Sequence, residues 1–132
     1  MLRFNSDHKF KIMQIADTQE IPAVSPDTLS LINNALDREK PDLVIFTGDQ
    51  IKGYSKKFKK EPVIIESTID ILVEPIAKRN IPFMVTYGNH DAQCGVDNRG
   101  QYKFYAKYDN FISGDLRNSD DVGTADIQIY SS

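Results

Sequence analysis

With 132 residues and a net charge of −3, the chain is at most one domain of ordinary size, and nothing in it divides that domain. The nearly balanced, slightly acidic charge gives no electrostatic case for a nucleic acid or a membrane surface. Cys94 is the only cysteine, so an internal disulfide is excluded. No apolar run approaches the roughly 20 residues of a membrane span, and residues 1–10 lack a signal-like segment, so the expected setting is soluble and cytoplasmic.

The first predicted strand covers residues 9–16, Phe10-Lys11-Ile12-Met13-Gln14-Ile15-Ala16, and runs into Asp17-Thr18-Gln19. His8, ahead of it, has no setting beyond the surface. Ser25-Pro26-Asp27 then reads as a helix start, with Ser25 as cap, proline at the first helical position and an acid at the positive end. Leu29, Ile32 and Leu36 recur at helical spacing until Lys40-Pro41 stops the helix.

A second strand, Leu43-Val44-Ile45-Phe46-Thr47, leads into Gly48-Asp49-Gln50. A crossover of this length makes it parallel to the first. Residues 52–60 carry five lysines and read as a solvated basic loop. The second helix opens at Glu61-Pro62 and turns Ile65, Ile69, Leu72, Val73 and Ile76 toward a core, with a kink expected at Pro75 before Asn80. The third strand, Ile81-Pro82-Phe83-Met84-Val85-Thr86, ends in Tyr87-Gly88-Asn89-His90-Asp91. Three strands alternating with two helices predict an α/β fold: a β-α-β-α-β parallel sheet with flanking helices.

Beyond Asp91 the pattern weakens. Residues 92–100 read as a polar loop, and Cys94 within it as a small buried thiol. Residues 101–111 read as a helix whose Phe104, Tyr105, Tyr108 and Phe111 pack into the core. Residues 113–126 read as loop, and Ile127-Gln128-Ile129-Tyr130 alternates as a further strand.

The segment 87–91 puts an amide, an imidazole and a carboxylate on one turn, although Gly, Asn and Asp also suit turns for backbone reasons alone. Recurrence decides between the two. All three strands end in ligand-type residues, and in open α/β sheets ligands bind beyond the carboxyl ends of strands, so Asp17, Asp49 and Asn89 should meet at one rim. Asp49 has two oxygens and can touch two cations, with Asp17 on the first and the Asn89 amide oxygen on the second. Gly48 would leave room for metal and substrate to approach. Two divalent ions about 3.5–4 Å apart favour in-line phosphoryl displacement. His90 would stand at the mouth to protonate the leaving oxygen, with Asp91 fixing its tautomer from behind.

Asp17-x-Gln19, Gly48-Asp49 and Gly88-Asn89-His90-Asp91, in that order after successive strands, resemble the first three signature blocks of the calcineurin-like metallophosphoesterases, in particular the bacterial relatives of purple acid phosphatases. The resemblance covers residues 9–91. It implies a metal-dependent phosphoesterase acting on a phosphate mono- or diester, with two divalent ions (Mn, Fe, Mg or Zn). By it Asp17 binds one ion, Asp49 bridges, Asn89 binds the other, and His90 contacts phosphate. It also implies that these residues form the first half of a four-layer α/β/β/α sandwich.

Three departures follow. Gln19 stands where the family has histidine, which favours Mg, Mn or Fe at a weaker first site. Lys52 stands where the purple enzymes have tyrosine. No histidine follows His90, although the family draws further ligands from later histidines. The expectation is therefore an incomplete domain carrying half of an active site, weak in metal binding and turnover. The uncovered sheet face would offer a surface for self-association. The alternative is a catalytically inactive metal- or phosphate-binding or interaction module.

Overall fold

The computed structural model describes residues 1–113, 115–116 and 122–132. Its elements are β1 (Leu2–Arg3), β2 (Ile12–Ile15), α1 (Pro26–Glu39), β3 (Leu43–Phe46), α2 (Pro62–Ala77), β4 (Phe83–Val85), α3 (Asn98–Ala106), β5 (Asp115–Leu116), β6 (Ala125–Asp126) and β7 (Ile129–Tyr130). Short 3₁₀ turns occupy Lys56–Phe58 and Asp91–Cys94.

The central sheet has the order β2-β3-β4, all parallel, as the alternation predicts. Ile15 pairs with Phe46 and Phe46 with Val85, so the three strands end level and their following loops emerge at one rim. α1 packs on α2 and α2 on α3. Arg79 ties the first pair, donating to Asp37 and Asn33 of α1 at 2.9 Å each and to the Pro75 carbonyl at 2.7 Å.

The sheet is buried unequally. Val44, Phe46, Phe83 and Val85 lie on one face in the core, with Met13 and Ile15 partly buried against it. From the same helix layer Ile32, Leu36, Ile65, Ile69, Leu72 and Ile76 fill this core. On the opposite face Ile12 is half exposed, Gln14 is exposed, and Ile45 and Met84 are only partly covered. Parallel sheets are ordinarily covered on both faces. Among the described residues, no helix is long and apolar enough to cross a membrane.

Several expectations shift. Ser25 precedes α1 but makes no side-chain cap; buried Glu20 does that work, accepting the Ser25 N–H at 3.1 Å and the Thr28 hydroxyl. A carboxylate at a helix N-terminus satisfies free donors and matches the helix dipole. α2 runs two residues past Pro75, which falls in its last turn. α3 starts three residues early because Asp97 caps it, accepting the Gly100 N–H at 2.8 Å. Phe111 lies beyond the helix, bridged to Phe83, yet the aromatic face packs in the core as expected.

Of the segment read as loop, residues 115–116 and 125–126 pair antiparallel, while residues 114 and 117–121 lie outside the described residues. β7 pairs in parallel with β1, a strand too short to leave a pattern in the sequence.

Candidate metal and phosphate site

The loops after β2 and β3 are joined as a continuation of the sheet. Asp17 N–H donates to the Gly48 carbonyl, Gln19 N–H to Asp49 and Glu20 N–H to Gln50, each at 3.0 Å; Lys52 N–H returns to Glu20 at 2.8 Å. Ordinary extended backbone would carry both loops straight on. Instead Asp17, Gln19 and Asp49 have φ of 53°, 49° and 52°. Left-handed backbone is unfavourable for residues with a Cβ, and such strain concentrates at functional sites. Three of the four residues marked as metal ligands carry it.

Gln50 locks these loops from beneath. Its buried amide donates to the Ile15 carbonyl at 2.9 Å and to the Gly48 carbonyl at 3.0 Å, while Thr18 Oγ1 donates to the Gln50 carbonyl at 2.6 Å. Nothing in the sequence distinguishes this glutamine from a solvent-facing one.

Gly48 and Gly88 meet backbone to backbone. A Cβ on Gly48, whose φ is +108°, would lie 2.3 Å from Gly88 N, and one on Gly88 would lie 2.1 Å from Asp49 Oδ1. The expectation that Gly48 clears space for metal and substrate is thus corrected: the space is filled by the neighbouring loop.

Asp91 also differs from expectation. It is 1% exposed and its carboxylate faces backbone, not His90. Oδ2 accepts the N–H groups of Asp49 and Gly88 at 2.7 Å each, and Oδ1 accepts that of Gln50 at 3.1 Å. Burial pushes this carboxyl above its ordinary value, the Gly88, Asp49 and Ile51 amides pull it back, and nearby Asp49 adds to the rise. Asp91 therefore fastens the β3 and β4 loops together.

The partner of the His90 ring is Gln93, whose Oε1 lies 2.9 Å from Nδ1. A carbonyl oxygen there requires Nδ1 to donate, which leaves Nε2 as the acceptor of the neutral ring. Asn89 Nδ2 approaches Nε2 at 3.5 Å, so the Asn89 oxygen points elsewhere. The Tyr54 ring packs edge-on beside His90 at 5.0 Å. Gln93 sits three residues from His90 within the Asp91–Cys94 turn, a spacing that read as loop in the sequence.

Asp49 connects the two sides. It is 9% exposed, and its Oδ1 accepts the His90 backbone N–H at 2.9 Å. Among the described residues, Asp49 Oδ2 and the side chains of Asp17 and Gln19 make no hydrogen bond. Asp17 also borders an open groove of about 560 Å³ between β2 and α1. Among the described residues no three His, Cys, Asp or Glu side chains gather to hold an ion. The donor set is two carboxylates and two amides, which suits hard divalent cations but fills only part of a coordination shell. Cys94 is buried, its thiol pushed up by that burial, and stands apart from this set.

Curated relatives carry the same segment. The chain is 29% identical over 128 residues to "Probable inactive purple acid phosphatase 14" of Arabidopsis thaliana, covering 85% of this chain and 31% of that protein. It is 34% identical over 105 residues to "Phosphatase DCR2" of Saccharomyces cerevisiae, covering 68% of this chain and 17% of that protein. With an "Uncharacterized metallophosphoesterase" of Aquifex aeolicus it shares 28% over 91 residues, 67% of this chain and 31% of that protein. The chain thus spans about a third or less of the length of these relatives. Residues 10–130 match the calcineurin-like phosphoesterase family, and the chain belongs to it, its parallel α/β unit being consistent with the first half of that family's fold.

Proposed function

We propose that the chain carries half of a two-metal phosphoesterase site that hydrolyses a phosphate mono- or diester. The family supports metal-dependent phosphoester chemistry. The observation that carries the reading is Asp49: a nearly buried carboxylate, fixed through Oδ1 to the His90 amide, with Oδ2 left uncommitted where three strand ends meet.

Asp17 and Gln19 would hold one ion, Asn89 the other, and Asp49 both. When bound, such ions supply charge neutralisation for in-line displacement and activate water. His90 would donate a proton from Nε2 to the leaving oxygen; with Nδ1 already donating to Gln93, the acid form is the doubly protonated ring. Gln93 orients that ring without adding a charge. Asp91 positions Asp49 by holding its backbone, and Asp49 Oδ1 in turn holds the His90 backbone N–H.

A second reading is binding without turnover, favoured by the name "Probable inactive purple acid phosphatase 14" of one relative. Calorimetric titration with Mn²⁺, beside an assay of aryl phosphate hydrolysis, tests both. Mn²⁺ binding lost in Asp49→Ala, with Mn²⁺-dependent hydrolysis, supports the enzyme; binding with no hydrolysis supports the second reading; no binding by the unaltered chain defeats both.

A further inference from the structure

The basic loop after β3 is fixed against the site. Lys52 N–H is held by the Glu20 carbonyl and Ser55 N–H by the Lys52 carbonyl, both at 2.8 Å. Gly53 lies so close beneath residues 90–94 that a Cβ on it would sit 1.9 Å from the His90 carbonyl oxygen. This seating brings Tyr54 to the His90 ring, 5.0 Å away and inclined at 63°. Tyr54 is nonetheless 54% exposed. The Lys52 ammonium stands 5.2 Å from its ring centre.

Next to Tyr54 a cleft of about 250 Å³ opens between residues 53–60 and Gln93, bordered by Lys56, Lys59 and Lys60. Lys59 and Lys60 are both left-handed, with φ of 53° and 55°. Among the described residues, none of the lysines in this loop pairs with a carboxylate.

The direction of the chemistry gives the cleft a use, granted the proposed phosphoesterase reading on which this inference rests. The oxygen protonated by His90 is bonded to the organic part of the ester. That part must extend past the His90 side of the site, where Tyr54 and then the lysines stand. An exposed tyrosine face binds flat rings by stacking, and unpaired lysines bind anions. We propose that Tyr54, Lys52 and the lysine-bordered cleft form the leaving-group subsite, and that the preferred leaving group is a flat aromatic ring bearing its own negative charge.

Phosphonates cannot be hydrolysed and so report binding alone. With Mn²⁺ present, the chain is titrated with methylphosphonate, phenylphosphonate and carboxyphenylphosphonate while the Tyr54 and His90 ring signals are followed by NMR. The phenyl compound should bind about fivefold tighter than the methyl one. The carboxyphenyl compound should bind tighter again, with an advantage that fades as salt is raised. Tyr54→Ala should erase the phenyl-to-methyl ratio and Tyr54→Phe retain it; Lys59→Ala with Lys60→Ala should erase the carboxylate advantage. Equal Mn²⁺-dependent binding of methyl and phenyl compounds overturns the subsite while leaving the phosphoesterase reading intact. A carboxylate that adds nothing overturns the charged half of the subsite. Absence of any Mn²⁺-dependent phosphonate binding overturns both readings.

Discussion

Asp91 Oδ2 accepts the backbone N–H of Asp49 at 2.7 Å across 42 positions of sequence. The same oxygen takes the Gly88 N–H, so one buried carboxylate joins the loops after two neighbouring strands. Asp91→Ala leaves at least three backbone donors without partners in a dry setting. Each such group costs about 1–3 kcal/mol, so a total loss of about 3 kcal/mol or more is expected, read as a lower urea midpoint. Asp91→Asn keeps one accepting oxygen and should lose less. A midpoint unchanged in the alanine variant would show that Asp91 does not fasten the loops.

Gly88→Ala should damage the site more than its small volume suggests. The new methyl meets Asp49 Oδ1 at 2.1 Å, which is below any real contact, so Asp49 or the loop must move. A loss of about 2–4 kcal/mol is expected, together with the loss of Mn²⁺ affinity. Circular dichroism melts and calorimetry on the same sample would check the pairing of the two effects; a variant that melts normally and binds Mn²⁺ normally contradicts the packing described.

The sequence displayed the strand ends well and their fastenings poorly. Asp17, Asp49 and Asn89 were legible because apolar runs stop at them, and run length is a property of local sequence. Gln50, Glu20 and Gln93 were not, because each acts through a hydrogen bond whose partner is set by the tertiary arrangement: the strand-end carbonyls, the α1 N-terminus and the His90 ring. Adjacency in the chain points Asp91 toward His90, but its carboxylate turns to the backbone amides of two loops. β1 was missed because two residues carry no period, and α3 began early through a cap that outweighed the polar look of its first turn.

Metal removal gives a further test. A ligand that binds only the folded chain stabilises it by about 2.7 kcal/mol at a hundred times its dissociation constant. Mn²⁺ should therefore raise the melting temperature, and a chelator should reverse the rise. Asp17→Asn should weaken the effect and Asp49→Ala abolish it. An equal rise in Asp49→Ala would place the ion elsewhere.

The tyrosines predict alkaline behaviour. Burial pushes the Tyr87 and Tyr105 hydroxyls well above the ordinary value, with negative neighbours adding to it; Tyr108 rises for the same reason and through its 2.6 Å bond to Asp70. In the unfolded chain these groups lose their protons first. Their contribution to stability is thus complete below the ordinary tyrosine range and is lost as pH climbs from there toward the raised values. Each of Tyr87 and Tyr105 should cost about 1.4 kcal/mol per pH unit in that window. Absorbance at alkaline pH should show their ionisation coinciding with loss of secondary structure; free titration of all six tyrosines in an intact fold would refute the burial.

The left-handed residues at Asp17, Gln19 and Asp49 have one more consequence. Glycine adopts this backbone without the Cβ strain, so at Asp17 and Gln19, whose side chains make no hydrogen bond among the described residues, glycine variants should gain heat resistance while forfeiting the oxygen each side chain presents; at Asp49 the bond to the His90 N–H opposes that gain. Durability and chemistry pull apart at Asp17 and Gln19, and a sequence tuned for endurance alone would have written glycine at both.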